Sequence, residues 1–310
     1  MKAATASATT AAVKTILFPT DFSDTSKRAQ SYAAALANRF RAKLLVLHAK
    51  DPRDYNLPPE TWERAENAEA DKMQELQKSI ASSFPSLKSE LCVGEGTAWQ
   101  IVESALAKHK VDLIVLGTRG RTGIGKLLLG SQAEEIFRHA TCPVLTVGPH
   151  AHDIKGTENE LREVLYATDF SPESQAAAPY SASIALALEA HLNLLHVVEE
   201  RKVGELISPT EVMPSSERLL RRLVPEDAEF WRDPSYFVER GVAAEKILEV
   251  AERIPASLIV LGVRKPAGVP GAATHLGIGT AHRVVAAAAC PVLTVRRSKL
   301  EKKTECNCGA

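Results

Sequence analysis

Residues 14–24 read KTILFPTDFSD and residues 162–172 read REVLYATDFSP. Each is a short apolar run closed by the polar corner T-D-F-S. Asp21 and Asp169 stand 148 positions apart (169 − 21), and the same offset carries LLVLHA (44–49) onto LNLLHVV (192–198) and TCPVLTV (141–147) onto ACPVLTV (289–295). An offset that holds from one end of a unit to the other marks a tandem duplication. The expected organisation is a disordered leader over 1–12, a first domain over 13–149, a polar linker over 150–161, a second domain over 162–297 and a disordered tail over 298–310.

Inside each copy, apolar runs alternate with longer amphipathic segments. The periodicity predicts strands over 14–18, 43–48, 88–93, 112–117 and 143–147, with helices over 24–40, 60–82, 98–109 and 131–139. Ser23 or Asp24 is placed to cap the first helix and Thr97 the third. In the second copy, strands are expected over 163–167, 191–197, 235–239, 257–262 and 291–295, while Pro209, Pro214 and Pro225 restrict helix between the second and third of them. Strands such as LIVLG are apolar almost throughout, as when helices cover both sheet faces. The fold class is α/β: two tandem, doubly wound, parallel five-stranded sheets of strand order 3-2-1-4-5.

The 38 basic and 38 acidic residues cancel, so no basic field points to nucleic acid or an anionic membrane. No apolar run approaches the ~20 residues of a membrane-spanning helix. Cys92, Cys142, Cys290, Cys306 and Cys308 form no disulfide framework, which points to the cytoplasm. The C-x-C of the tail has no second pair to complete a zinc site.

In an open parallel sheet, ligands settle beyond the carboxyl ends of strands where the winding reverses, here between the first and fourth strands. The first ends in Pro19-Thr20-Asp21. The fourth runs into GTRGRTGIGKLLLGSQAEE, with glycines at 117, 120, 123, 125 and 130, and with Arg119, Arg121 and Lys126 against no acid between Thr118 and Gly130. Glycines allow close backbone approach. The helix opened by Ser131 offers unpaired amides to an anion, and the whole loop suits a polyphosphate. Each exposed helix-end contact contributes only about 0.3–1 kcal/mol, against the ~8 kcal/mol of micromolar binding. An adenine pocket must supply much of the rest.

Taken singly, Gly130-Ser131 also reads as a turn with an N-cap, Asp21 as a helix cap, and Arg119 and Arg121 as solvated charges. Their convergence on one crevice favours a site. Gly120 to Lys126 imitates the opening of a P-loop, but Leu127 stands where Ser or Thr would hold magnesium, and Gly94-Glu95-Gly96 meets Trp99 where a dinucleotide fingerprint needs its third glycine.

With these residues in view, the chain resembles the universal stress protein family over nearly its whole length. Gly117, Gly120, Gly130 and Ser131 match the spacing of that family's nucleotide-binding members, and PTDFS, LLVLHA and CPVLTV resemble its other segments. The resemblance implies an adenine nucleotide alpha hydrolase-like fold that binds ATP with Mg2+. Asp21 would meet adenine or ribose, the backbone of Ala49 would read the adenine edge, and Gly117, Gly120, Gly130, Ser131 and Gln132 would cradle ribose and phosphates, with Thr20 and Arg119 close by.

The second copy departs from this pattern. Gly262 matches Gly117, but Lys265 replaces Gly120, and Gly279-Thr280 matches Gly130-Ser131 only after a one-residue slip; Pro266 and Pro270 stiffen the loop between. Asp169, Val197, Gly262, Gly279 and Thr280 are its candidate site residues. A structural role for this copy is favoured over independent ATP binding.

No acid–base pair or nucleophilic triad is evident. His48 and His196, in the second strand of each copy, read as packed core residues. The expectation is a regulatory or stress-response binding module with an adenine nucleotide as ligand and at most slow ATP hydrolysis. The alternatives are an enzyme acting on ATP, and a ligand-free scaffold in which the two copies pair with each other or the chain forms a homodimer through apolar edge strands.

Overall fold

The computed structural model describes residues 13–51, 62–118, 130–154, 161–199, 209–264 and 279–297. The leader, the tail with Cys306 and Cys308, most of the linker, and the loop residues 119–129 and 265–278 lie outside these. The chain divides into two compact units, one of Val13–Glu160 with Val285–Val292, the other of Leu161–Val284 with the chain from Leu293 onward.

The N-terminal half alternates β1 (Thr15–Thr20), α1 (Asp24–Phe40), β2 (Lys43–Lys50), α2 (Trp62–Ser83), β3 (Ser89–Glu95), α3 (Ala98–Lys108), β4 (Leu113–Gly117), α4 (Ser131–His139) and β5 (Val144–Val147). All its strand pairings are parallel, in the order β3-β2-β1-β4-β5. The strand order and the helices match the expectation from sequence. The first two strands end two residues later than expected, because the β1–β2 ladder continues through Pro19 opposite Leu47 and Thr20 opposite His48, and the β2–β3 ladder through Ala49 opposite Gly94 and Lys50 opposite Glu95.

Strand alternation splits the core between two faces. Leu17, Leu45, Leu47, Ile114 and Leu116 pack with Val102 and Ala105 of α3 and Ile136 of α4. Ile16 and Phe18, fully buried, point the other way, on the side where α1 lies against β1 and β4. The helix starts follow their capping chemistry. The Ser26 amide donates to Ser23 Oγ at the head of α1, and Thr97 with Gln100 forms a reciprocal capping box at the head of α3.

The C-terminal half repeats the plan with β6 (Glu163–Thr168), the short α5 (Pro172–Gln175), α6 (Ala178–Leu188), β7 (His191–Val198), α7 (Pro209–Arg221), β8 (Ser235–Arg240), α8 (Ala243–Arg253), β9 (Leu258–Val263), α9 (Thr280–Ala287) and β10 (Val292–Arg296), in the order β8-β7-β6-β9-β10. Helix does form over the proline-containing segment. It begins at Pro209, where the missing N–H costs nothing, and carries Pro214 inside, at the loss of one backbone hydrogen bond.

Candidate functional site at the carboxyl end of the first sheet

The T-D-F-S corner after β1 is fixed by its own side chains. Thr20 Oγ1 accepts from the Phe22 amide at 3.1 Å and from the Ser26 hydroxyl at 2.9 Å, while Asp21 Oδ1 accepts from the Ser23 amide at 3.0 Å. These bonds hold Phe22 in the left-handed region at φ 60°, which a bulky residue adopts only under such constraint. The Phe22 ring then lies 4.6 Å from that of His48. The second copy builds the same corner: Thr168 Oγ1 accepts from Phe170, Asp169 Oδ1 accepts from Ser171, Phe170 has φ 61° and its ring lies 4.4 Å from that of His196. One oxygen of each aspartate is therefore spent on the turn. Asp21 is half-buried and Asp169 exposed.

On the neighbouring strand, His48 is buried and its Nδ1 lies 2.9 Å from the Thr20 carbonyl, while Ala49 follows it in register with Gly94 of β3. The histidine is packed and hydrogen-bonded, as read from sequence.

Beyond β4, the amide of Thr118 donates to Val147 at 3.1 Å, and the amide of Gly130 donates to the Thr118 carbonyl at 2.6 Å. The loop 119–129 is thus tied at its foot, and α4 starts from that knot. Gly130 is the N-cap and supplies no side-chain bond to the first turn, where Ser131 and Gln132 are exposed. Thr118 is 3% exposed, yet its Oγ1 has no hydrogen-bond partner among the described residues. A buried hydroxyl left without a partner costs about 1–3 kcal/mol, a cost that a ligand oxygen beside the α4 amides would remove.

Gly117 has a second explanation. A Cβ there would lie 2.8 Å from the carbonyl group of Thr25 and 3.0 Å from the Ser26 amide, so the first turn of α1 occupies the space. Gly262 is held the same way by the backbone of Glu173 and Ser174 in α5. Gly279 instead faces open space and directly precedes α9, as Gly130 precedes α4, and the one-residue slip falls in the helix, 8 residues long in α9 against 9 in α4. Thr280 opens that helix and is exposed, and Val197 lies half-buried in β7 as Ala49 does in β2.

The structure therefore gathers Thr20, Asp21, Ala49, Gly117, Gly130, Ser131 and Gln132 at the carboxyl ends of β1, β2 and β4 and the start of α4. Arg119 and Gly120 lie outside the described residues. The sequence reading passed over Thr118 as a site residue, although a hydroxyl directly after four apolar strand residues and a glycine was a usable signal. It also missed the helix behind Gly117, which no local pattern reveals. No helix among the described residues is long and apolar enough to cross a membrane.

The model of the universal stress protein family matches residues 12–148 and again 160–296. A universal stress protein of Thermus aquaticus is 34% identical over 134 residues, covering 43% of this chain and 98% of its own length. A universal stress protein of Mycolicibacterium smegmatis is 28% identical over 304 residues, covering 91% of this chain and 96% of its own. Among solved structures, a universal stress protein from Archaeoglobus fulgidus superposes with a TM-score of 0.66 at 22% identity, covering 92% of this chain and 98% of its own, a likeness of fold.

Proposed function

The chain belongs to the universal stress protein family in both of its halves, and on that premise we propose that the N-terminal half binds ATP with Mg2+ and acts as a regulatory binding module. The observation that carries this reading is the foot of the loop: a glycine N-cap without a side-chain cap, joined through its amide to Thr118, whose buried hydroxyl lacks a partner among the described residues. Backbone amides at a helix start favour phosphate oxygens, and an orphaned hydroxyl adds one more hydrogen bond to a ligand. Asp21 keeps Oδ2 for a ribose hydroxyl while Oδ1 serves the turn, and the backbone of Ala49 would meet the adenine edge. Ser131 and Gln132 would hold phosphates, with Arg119 and Gly120 completing the wrap from the loop. The C-terminal half keeps the corner and the helix start but differs in the loop, and serves as a structural companion.

Labelled ATP mixed with the full chain, with phosphate release followed in parallel, tests this. About one nucleotide per chain with little turnover is the expected result. Rapid turnover would make the chain an enzyme on ATP, and no binding would make it a ligand-free scaffold.

A further inference from the structure

We propose that Arg28 and Tyr32 of α1 strap residues 149–153 to the N-terminal half, and that nucleotide binding at the head of the same helix tightens the strap. The strap stands on geometry alone; its coupling to the ligand rests on the nucleotide reading above. Residues 149–153 follow β5 and open the polar stretch that joins the two repeats. Arg28 Nη1 donates to the Pro149 carbonyl at 3.0 Å, its Nε donates to Asp153 Oδ1 at 2.6 Å, and the Tyr32 hydroxyl donates to the His152 carbonyl at 2.8 Å. The rigid guanidinium fork thus fixes two points of the chain at once. Among residues 149–153 Ala151 alone is buried, and a segment with so few buried apolar groups opens at low cost. Two of its amides report on that opening. Ala151 donates to the Gly148 carbonyl at 3.3 Å, and His152 donates at 3.2 Å to the carbonyl of Ala289, which belongs to the same compact unit.

The head of α1 is also a wall of the candidate site. Its first turn fills the space in front of Gly117, the Ser26 hydroxyl donates to Thr20, and the Ser26 amide is capped by Ser23, whose own amide donates to Asp21. Arg28 and Tyr32 stand two and six residues beyond Ser26, which is about 3 and 9 Å along a helix axis. A ligand held by Asp21 Oδ2 and the foot of the β4–α4 loop therefore orders the turn from which the strap hangs. Ordering one end of a helix lowers the cost of ordering what is bound further along it, without any change of shape. The second repeat lacks this path. Tyr180 stands at the offset of Tyr32, but Ala176 stands at that of Arg28, and the helix is interrupted there between α5 and α6.

The sign follows from linkage. If the closed strap favours the ligand, the ligand favours the closed strap by the same factor.

Amide hydrogen exchange of the full chain, read at Ala151 and His152, tests both parts. In the free protein Arg28→Ala should speed exchange at these amides about tenfold or more, as losing a hydrogen bond from a charged group implies. The amide of Ile101, which donates to Thr97 at the head of α3, should keep its rate. Asp153→Ala, at a side chain 80% exposed and so no threat to folding, should act in the same direction as Arg28→Ala. Unchanged strap amides, or a rise shared equally by Ile101, would overturn the strap. Saturating Mg-ATP should slow exchange of the wild-type strap amides about fivefold or more, the lower end of couplings between sites. By reciprocity Arg28→Ala should bind Mg-ATP more weakly, by no more than that factor. Wild-type strap amides indifferent to bound Mg-ATP would overturn the coupling. Absence of ATP binding would count against the nucleotide reading and the coupling with it, while the Arg28→Ala comparison in the free protein still decides the strap.

Discussion

Gly117 and Thr25 share a space that admits no methyl group: a Cβ on the glycine would stand 2.8 Å from the carbonyl carbon and oxygen of the threonine. Strand β4 and helix α1 are packed backbone to backbone at the point where the loop 119–129 departs. The glycine that begins the family's loop pattern is thus required by the fold before any ligand arrives. Gly117→Ala should destabilise the N-terminal half by about 1–3 kcal/mol, the usual cost of overpacking, and Gly262→Ala should do the same to the C-terminal half. Denaturant unfolding without nucleotide checks both; unchanged midpoints would show that α1 and α5 can yield.

Gly130 makes the opposite case. Its φ of −56° is open to any residue, so a side chain there brings no backbone strain. Gly130→Val should leave the unfolding midpoint nearly unchanged while weakening ATP binding about tenfold or more, equivalent to about 1.4 kcal/mol, by crowding the approach to the α4 amides. Calorimetric titration of the folded variant gives the answer.

Thr118→Val separates a functional hydroxyl from a structural one. Because Oγ1 is buried without a partner among the described residues, replacing it with a methyl group should leave the free protein as stable or more stable, by up to ~1 kcal/mol. The same change should weaken ATP binding. Loss of stability in the free protein would mean that the hydroxyl already serves the fold.

Asp21→Asn tests the division of labour at the corner. The amide oxygen can still accept from the Ser23 amide, so the turn and Phe22 should hold and stability should move by less than about 0.5 kcal/mol. Binding of ATP should weaken, because an uncharged group makes a poorer acceptor for a ribose hydroxyl. Equal loss of stability and affinity would return Asp21 to a purely structural role.

Tyr166 gives the C-terminal half a dependence on alkaline pH. It is fully buried and donates its hydroxyl to the Ser174 carbonyl at 2.9 Å. Burial raises its phenol from 10.0 to about 12, with the Asp169 charge adding to the rise and the Thr168 hydroxyl opposing it. A pKa raised in the fold means stability fully present below 10 and lost as the pH climbs toward 12. Unfolding midpoints should decline over that interval, and Tyr166→Phe should flatten the decline. An equal slope in both proteins would contradict this.

Much of the fold was legible because its elements carry local signals. The runs ILF, LLVLH and LIVLG announced buried parallel strands, and Ser23 and Thr97 marked helix starts that the structure places at those residues. What could not be read depends on partners distant in sequence. Gly117 answers to α1, His48 faces Glu69 from α2, and Phe22 takes a left-handed conformation because Thr20 and Asp21 bind the amides on either side of its carbonyl. The helix through Pro214 shows tertiary packing of Leu220, fully buried, overriding one lost hydrogen bond.

The central claim is that the turn from β4 into α4 wraps its amides around a triphosphate. A crystal structure of the full chain grown with excess Mg-ATP tests it most directly. Phosphate oxygens should lie against the amides of Ser131 and Gln132 and the hydroxyl of Thr118, with adenine beside Ala49. A closed cleft there, or one filled by the protein's own side chains, would contradict it.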